Sequence, residues 1–336
     1  MKRNELLPYI GNLAQIGGSR HYVLTDGRGR NLRAIDVNSG SGLQYTILPD
    51  RGMDISLASF KGKNLVFLTC TGETHHSFFE PEGLGWLRTF AGGLLTTCGM
   101  TYHGAPVTDE GENLGLHGRY STIPARQVAD LSKWINEEYH IIHRGIIEEA
   151  RIFGNKLRLE REIKTVVGQN SLRISDTVTN FGFTPSPYTI LYHMNFGYPL
   201  LDENAELVID PEITIPRNET AAAGIREFRQ FIRPQAGFQE QVFNHKMKAG
   251  SDGKAIVILK NKKIGLALTL KFDAATLPYL IQWKMMGKGE YVVGLEPSNV
   301  LLKNRKELRE DNILPHLQPE ESINHDIEVT IEEIQS

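Results

Sequence analysis

The sequence predicts an all-β protein, a sandwich or a barrel of short antiparallel strands with few short helices. Three observations predict this class: apolar and charged residues alternate with a period of two, Gly and Pro punctuate the chain throughout, and helical signals are few. Many short strands without intervening helices favour a sandwich or a barrel over a βαβ fold. Because all-β folds often run past about 200 residues as one core, and no linker is evident, we expect one domain over residues 1–336.

Two hairpins give the clearest strands. Apolar and charged residues alternate from Lys156 to Val166, a turn follows at 168–170, and the alternation resumes from Ser171 to Val178. A second pair of strands is predicted from Ala255 to Leu259 and from Ile264 to Phe272. The polar residues of each pair indicate one solvated face.

Shorter segments complete the predicted sheets. Their β-branched and aromatic residues suit a pleated, half-buried surface. These segments are Gln44 to Leu48, Leu65 to Leu68, Tyr291 to Leu295 and His325 to Ile331. One or two helical turns are predicted within Thr220 to Phe228.

Composition restricts the partners and the compartment. A net charge of -3 and an isoelectric point near 6.4 give no bulk attraction to nucleic acids or anionic membranes. No window approaches the roughly 18 apolar residues of a membrane span, so we expect neither nucleic-acid nor membrane partners. Cys70 and Cys98 cannot form a disulfide framework, and the polar N-terminal segment is a poor secretory signal. The protein is therefore expected to be cytoplasmic.

Three turn-rich apolar segments carry titratable residues. The first, residues 85–125, contains Arg88 and His117 on either side of a glycine-rich stretch. The second, YTILYHMNFGYPLLDE, contains His193 and Asn195, and the third, YVVGLEPSN, delivers Glu296 to a proline bend. Histidine titrates near neutrality, and partial desolvation raises the pKa of a glutamate toward the same range. These residues therefore suit proton transfer around a hydroxyl or ether oxygen.

Each of these residues also has a structural interpretation. A histidine in an apolar strand is more often a hydrogen-bonded core residue than a catalyst, which applies to His193. His117 between two glycines could equally cap a loop, and Glu296 before a proline is commonly a solvated strand end. Sequence spacing alone does not bring the three side chains together.

Four motifs in these segments resemble those of the aldose 1-epimerase (galactose mutarotase) superfamily. GGLLTTCG followed by LHGRYS resembles its glycine-rich strand and histidine loop, and LYHMNFGYPLLD resembles its second-histidine strand. Residues 294–297 resemble its catalytic-glutamate strand, and residues 317–320 its late turn. The likeness covers roughly residues 40 to 332 and is greatest to proteins described only as aldose 1-epimerase-like.

The resemblance implies a β-supersandwich, in which two large antiparallel sheets pack face to face and hold a sugar on a concave surface. It implies Glu296 as the general base at the anomeric hydroxyl and His193 as the general acid at the ring oxygen. It further implies that His117 and Arg88 bind the sugar, with Asn195 close by. Since the reaction is proton transfer alone, it implies a small-molecule sugar as partner and no cofactor or metal.

The sequence departs from this pattern at the substrate contacts. The sugar-binding aspartate of the family has no counterpart here, and Gln241 lies in its interval. LPDRGMDI is unusually rich in charge, so Arg51 and Asp54 are predicted as additional contacts, with a plain turn at 50–52 as the alternative. Lys284 is a further candidate, and a solvated strand position explains it equally well.

No metal site and one aromatic platform are predicted. His75 and His76 would point to opposite faces of a strand, and with His103 they do not form a metal-ligand spacing. One of the three tryptophans is expected to stack on a sugar face, while the others belong to the core. The tryptophans are Trp86, Trp134 and Trp283.

Three other functions remain open from the sequence. A phosphosugar mutarotase needs a cationic pocket, for which the candidates are Arg51, Arg88, Arg119 and Lys284. A non-catalytic carbohydrate-binding protein keeps the cleft without turnover. Isomerase or lyase chemistry on an oxidised sugar uses the same base. A monomer or a homodimer is expected in each case.

Overall fold

The computed structural model describes residues 2–335 as a mostly β structure. Its strands are β1 (Gly18–Val23), β2 (Arg33–Asn38), β3 (Leu43–Leu48), β4 (Asp54–Phe60), β5 (Lys63–Asn64), β6 (Thr96–Met100), β7 (Val107–Asp109), β8 (Glu112–Leu114), β9 (Arg126–Asp130), β10 (Lys133–Ile135), β11 (Glu138–Ala150), β12 (Lys156–Val166), β13 (Ser171–Asn180), β14 (Ser186–Pro187), β15 (Thr189–His193), β16 (Asn195–Phe196), β17 (Ala205–Ile209), β18 (Pro211–Pro216), β19 (Gln241–Met247), β20 (Lys254–Asn261), β21 (Leu266–Asp273), β22 (Tyr279–Met286), β23 (Tyr291–Ser298), β24 (His316–Leu317) and β25 (Ser322–Glu333).

Helices are few and short, as predicted. The α-helices are α1 (Arg3–Leu6), α2 (Glu219–Ala223) and α3 (Arg305–Glu310). Single 3-10 turns span Leu7–Tyr9, Leu13–Gln15, Gly27–Gly29, Pro49–Arg51, His76–Phe78, Gly85–Arg88, Tyr120–Thr122 and Lys262–Ile264.

Three antiparallel sheets contain most of the strands. A five-stranded sheet has the order β1-β2-β3-β4-β5, and a nine-stranded sheet has the order β10-β11-β12-β13-β25-β21-β20-β17 with β9 paired to β11. A seven-stranded sheet has the order β18-β19-β22-β23-β15-β6, with β16 paired to β23. The all-β sandwich of antiparallel sheets predicted from the period-two pattern is confirmed.

Both predicted hairpins are present. β12 has the predicted bounds, and its residues alternate between buried and half-buried along its whole length. β13 pairs with β12, and β25 pairs with β13, so the three strands are neighbours in one sheet. Each of them contributes one apolar face to the main core. The apolar and charged alternation thus translates directly into one buried and one solvated face.

One local prediction was wrong. Residues 65–68 do not form a regular strand; Val66 and Leu68 make only isolated bridges, to Phe196 and Gly92. Val66 and Leu68 thus each pair with a single residue of a different segment, and neither pairs along a continuous strand edge. The helical turns predicted within Thr220–Phe228 are present as α2, which begins where the side chain of Asn218 accepts from the Ala221 N–H and ends before Gly224.

The seven-stranded sheet has two apolar faces with different neighbours. Its inner residues join the main core, which also contains inward residues of the nine-stranded sheet. These inner residues include Ile190, Tyr192, Phe243, Leu280, Val293 and Leu295. Its outer residues form a separate cluster with Trp86 and Phe90, and they include Cys98, Leu191, Val242 and Ile281. Side chains that alternate along β15 and β23 therefore reach either the core or this outer cluster.

Candidate active site

Glu296 lies on β23, near the middle of the seven-stranded sheet, and points to the outer face. Leu295 beside it belongs to the main core, so strand alternation turns the Glu296 carboxyl outward. A Cβ atom at Gly294 would lie 2.2 Å from Glu296 Oε1, so the carboxyl rests where any larger residue at 294 would collide with it. The glycine of the GLEP motif thus makes room for the carboxyl.

His193 ends β15 and faces the same carboxyl. Its Nδ1 lies 3.2 Å from Glu296 Oε1, and the two side chains are 6% and 2% exposed. Neither of these two atoms has a hydrogen-bond partner of acceptable geometry among the described residues. The structure therefore brings together two buried titratable groups that lie 103 positions apart (296 − 193) in the sequence.

Aromatic rings surround His193 on the outer side of the sheet. Its ring centroid lies 5.1 Å from that of Phe90, 5.5 Å from that of Trp283 and 6.3 Å from that of Trp86. Trp86 stacks on Phe90 at 4.4 Å, and its Nε1 donates to Ser121 Oγ at 3.3 Å. This apolar wall excludes water from the histidine and leaves only part of the Trp283 side chain exposed.

His117 and Asn195 complete the polar groups around the pair. The ring centroid of His117 lies 5.8 Å from that of His193, and its backbone has a φ of 58°, a left-handed conformation uncommon outside glycine. Asn195 Nδ2 donates to the Gly93 carbonyl at 3.1 Å and to the His193 carbonyl at 2.9 Å. Asn195 Oδ1 and His117 Nδ1 are buried without a partner among residues 2–335.

Burial shifts the two central groups in opposite directions. It raises the pKa of Glu296 well above its ordinary 4.5, and the charge of Glu240 adds to this while Arg217 opposes it. It lowers the pKa of His193 well below its ordinary 6.5, and His117 adds to that shift. Since a net charge on this buried pair is costly in either direction, the pair holds one proton over a wide pH range.

A charged rim lies beyond the aromatic wall. Glu240 accepts from Arg217 Nη2 at 2.7 Å and from Trp283 Nε1 at 2.9 Å. Burial lowers the pKa of His117 to about 4, and the positive charge of Arg217 contributes to that shift. Glu240 therefore orients the Trp283 ring. Together with Arg217 it also shifts the pKa values of the buried groups behind the wall.

Arg51 and Asp54, predicted as substrate contacts, are engaged within the protein. The Arg51 guanidinium donates to the carbonyls of Ser121, Thr74 and Thr89 at 2.5, 2.6 and 2.9 Å. It thereby joins the segments that hold Trp86 and Phe90. Both side chains are buried and turned away from solvent into the fold.

Asp54 belongs to a buried ion-pair network behind the sheet. It accepts from Arg161 Nη1 at 2.9 Å and from the Thr97 N–H and hydroxyl at 2.9 and 2.7 Å. Arg161 also binds Asp176 at 2.7 Å, and Asp176 accepts from the Tyr192 hydroxyl at 2.8 Å. Tyr192 directly precedes His193, so this network fixes the strand from the side opposite the site.

Lys284, Gln241 and Arg88 also lie apart from the central pair. Lys284 is a neighbour of Trp283 on β22 and therefore points to the other face of the sheet, where its Nζ donates to the Glu227 carbonyl at 2.9 Å. Gln241, directly opposite Lys284 in the register, shares that face. Arg88 forms an ion pair of 3.1 Å with Glu80, with both side chains more than half exposed.

Sequence reasoning missed Phe90, Arg217 and Glu240. Phe90 could have been identified from the sequence, because it is a second aromatic residue four positions after Trp86 in the glycine-rich segment. Arg217 and Glu240 lie just outside β18 and β19, and only the strand register brings them to Trp283. Trp134 packs on Tyr139 at 5.3 Å and is not part of this aromatic wall.

An open cleft elsewhere on the molecule lacks such groups. It measures about 760 Å³ and lies over the five-stranded sheet, where Asp36 accepts from the hydroxyls of Tyr22 and Thr46. Among the described residues, none of its lining side chains has a buried polar atom without a partner.

Within residues 2–335, no helix has the length and apolar character needed to traverse a bilayer.

Comparisons with known proteins agree with this architecture. The model of a family described as a domain of unknown function, DUF4432, matches residues 29–331. A search of curated proteins finds no match to this chain.

Solved structures share the fold. A candidate aldose 1-epimerase from Klebsiella pneumoniae is 26% identical with a TM-score of 0.86, over 98% of this chain and 90% of that one. A galactose mutarotase-like protein from Clostridium acetobutylicum is 13% identical with a TM-score of 0.67, over 95% of this chain and 100% of that one. Galactose 1-epimerase from Lactobacillus acidophilus is 12% identical with a TM-score of 0.59, over 95% and 100%. The fold is that of the galactose mutarotase-like proteins.

Proposed function

Because this chain belongs to the DUF4432 family and has a galactose mutarotase-like fold, we propose that it is an aldose 1-epimerase that interconverts the α and β anomers of a sugar. The observation that carries the proposal is the 3.2 Å approach of His193 Nδ1 to Glu296 Oε1 in a buried, aromatic surrounding. Buried polar atoms without partners are costly in a fold, so their concentration here supports a ligand-binding role.

The proposed reaction is a pair of proton transfers. Glu296 takes the proton from the anomeric hydroxyl, His193 donates a proton to the ring oxygen, and the bond between the anomeric carbon and the ring oxygen breaks. The resulting aldehyde rotates about the adjacent carbon–carbon bond and recloses on its other face. Both protons return in the reverse order, so no atoms or electrons are gained or lost. Catalysis of this kind contributes typically about 10²–10⁴-fold.

The proton inventory of the pair matches this reaction. One proton resides on the pair, and burial favours the arrangement with a neutral carboxylic acid and a neutral imidazole. Transfer of that proton from Glu296 to His193 gives the carboxylate and imidazolium that the first step needs. The two states differ by one proton movement between adjacent side chains and have the same net charge.

Neighbouring groups are assigned by their positions. The partly exposed ring of Trp283 is the proposed platform for the apolar face of the sugar. His117 Nδ1 and Asn195 Oδ1, which have no partner within the described chain, are proposed to bind sugar hydroxyls or a bridging water. Arg51, Asp54, Lys284, Gln241 and Arg88 are left out of the proposed site because of the contacts described above.

The positions of the cations favour a free sugar over a phosphosugar. Arg51 is engaged by three carbonyls, Lys284 lies on the other face of the sheet, and Arg88 pairs with Glu80. Arg217, the cation that acts on His117 and Glu296, is paired with Glu240. A phosphate, which binds best to unpaired Arg or Lys, therefore finds no such partner at the site among these four cations.

The proposed compartment is the cytoplasm. Both cysteines are free, and Cys70 is exposed, which suits a reducing environment.

Exchange NMR tests the proposal directly. The α/β exchange rate is measured with and without the protein for a panel of aldoses, their 6-phosphates and their uronic acids. We expect accelerated exchange for a free aldose and weaker or no acceleration for its 6-phosphate. Equal or stronger acceleration of the 6-phosphate would favour the phosphosugar enzyme, and binding without any accelerated exchange would leave a non-catalytic carbohydrate-binding protein.

A further inference from the structure

We propose that His21, Asp130 and His143 form a binding site for a divalent transition metal ion of the Zn²⁺ type. These residues lie on strands of the five-stranded and nine-stranded sheets, whereas the candidate active site lies on the seven-stranded sheet. The metal site is therefore independent of the proposed sugar chemistry.

Three separate strands supply the ligands. His21 lies on β1, the edge strand of the five-stranded sheet, while Asp130 ends β9 and His143 lies on β11. Asp130 and His143 are direct cross-strand partners, so their side chains are neighbours on one face. His21 meets them from the other sheet, with its Nε2 3.8 Å from Asp130 Oδ2 and its ring centroid 5.4 Å from that of His143.

His143 gives the second, independent indication of a ligand. Its side chain is fully buried, and among residues 2–335 neither Nδ1 nor Nε2 has a hydrogen-bond partner. A buried imidazole normally makes at least one hydrogen bond, and leaving it without any costs about 1–3 kcal/mol. A metal ion on one ring nitrogen supplies the missing partner.

The geometry is compatible with such an ion. One ligand atom from each residue can be chosen so that all three lie within 4.8 Å of one another. In a tetrahedral Zn²⁺ site with bonds of about 2.0–2.1 Å, ligand atoms lie about 3.4 Å apart, so closure needs movements of no more than about 1.4 Å. His21 and Asp130 can make them, because their side chains are 51% and 38% exposed.

The carboxylate is already oriented by its own neighbours. Asp130 Oδ1 accepts from the Ser132 N–H at 2.9 Å, and Oδ2 accepts from the Ser19 hydroxyl at 2.9 Å. Hydrogen bonds of this kind fix the ligands of natural metal sites. Two imidazoles and one carboxylate leave a fourth position for water, and nitrogen and oxygen ligands of this number suit Zn²⁺, Ni²⁺ or Cu²⁺ better than Mg²⁺ or Ca²⁺.

Bound metal would connect two sheets. β1 pairs only with β2 among the described strands, so a metal bridge from His21 to His143 would fasten this edge to the nine-stranded sheet. The sequence predicted no metal because its three ligands are separated by 109 and 13 positions (130 − 21 and 143 − 130), which matches no short ligand motif.

Calorimetric titration of the EDTA-treated, dialysed full chain with Zn²⁺ tests the proposal. We expect one equivalent to bind the wild type. His21→Ala and Asp130→Asn should each weaken that affinity at least about tenfold. His316→Ala is the matched control, because His316 is an exposed histidine whose ring nitrogen contacts only the Leu314 carbonyl in the described structure, and it should bind as the wild type does.

Two further readouts keep the test decisive. Co²⁺ in the wild type should give the intense visible absorption of a tetrahedral site, and saturating Zn²⁺ should raise the melting temperature of the wild type but not of His21→Ala. The substitutions are made at the two exposed ligands because replacement of the buried His143 could prevent folding. The proposal is overturned if the wild type binds no stoichiometric Zn²⁺, or if His21→Ala and Asp130→Asn bind it as tightly as His316→Ala.

Discussion

Two buried polar clusters lie on opposite sides of the same strand and differ in how their hydrogen bonds are satisfied. The rear cluster consists of Arg161, Asp54, Asp176 and Tyr192, and the front cluster of His193, Glu296, His117 and Asn195. In the rear cluster each charged group is paired, and the two acids share the Arg161 guanidinium. In the front cluster four buried polar atoms have no partner among the described residues, one on each member.

The difference separates a structural cluster from a candidate site. A satisfied buried network holds its members in one arrangement and has no capacity for another molecule. The front cluster is rigid because Tyr192, next to His193, is held by the rear cluster, and its unpartnered atoms can bind a ligand. Support from one side and unsatisfied hydrogen-bonding groups on the other are the features expected of a preorganised site.

Removal of either member of the central pair should have the largest effect on activity. Glu296→Gln and His193→Gln should each lower kcat about 10²–10⁴-fold, because each removes one end of the proton transfer. The double variant should be no slower than the slower single variant, since the residues act as a unit. Anomer exchange rates measure this, and additive losses in the double variant would contradict a shared role.

Removal of the central cation of the rear cluster should have the largest effect on stability. Arg161→Leu leaves two buried carboxylates without their partner, which should cost about 3–5 kcal/mol. Urea unfolding measures the free energy of unfolding.

Arg158→Leu is the matched control on the same strand. Arg158 pairs with Glu148 at a partly exposed position, so its loss should cost less than about 1 kcal/mol. Equal costs for the two substitutions would mean that the rear cluster does not support the fold as described.

Displacement of the front carboxyl should have an intermediate effect. A methyl group at residue 294 would collide with Glu296 Oε1, so Gly294→Ala should shift the carboxyl by about 1 Å and lower kcat about 10²-fold. Gly11→Ala is the control, because its nearest neighbour would be the end of the Gln15 side chain at 3.9 Å. Wild-type kcat in a folded Gly294→Ala variant would argue against this placement of the carboxyl.

The pH dependence should be the smallest effect. His193 gains a second proton only well below pH 6.5, and Glu296 loses its proton only well above pH 4.5. Between these limits the pair keeps one proton, so the catalysed rate, after subtraction of spontaneous exchange, should show no titration step at pH 6.5, where an ordinary histidine gains its second proton. A fall in the catalysed rate as the pH drops through 6.5 would contradict the lowered pKa of His193.

The sequence predicted the fold well because alternation is a local property. Residues 156–166 form β12 with the predicted bounds, since one apolar face of a strand is readable without knowledge of its neighbours. Residues 65–68 show the limit of this reasoning. An apolar run becomes a regular strand only where a continuous edge is available to pair with it.

The site was harder to predict because it depends on register. Lys284 and Trp283 are adjacent in the sequence, but the pairing of Trp283 with Gly294 puts only the tryptophan on the same face of the sheet as Glu296. The charged turn around Arg51 suggested an exposed side chain. In the structure Arg51 is buried and donates hydrogen bonds to three carbonyls that are distant in the sequence. Such choices are fixed by tertiary contacts that spacing does not encode.

A crystal structure of Glu296→Gln with the aldose that the wild type exchanges fastest would show whether the sugar binds between Glu296 and His193. We expect a sugar against Trp283, with its anomeric hydroxyl within about 3.2 Å of the residue 296 amide and its ring oxygen at a similar distance from His193. A sugar bound away from both residues, for example over the five-stranded sheet, or no bound sugar at saturating concentration, would contradict it.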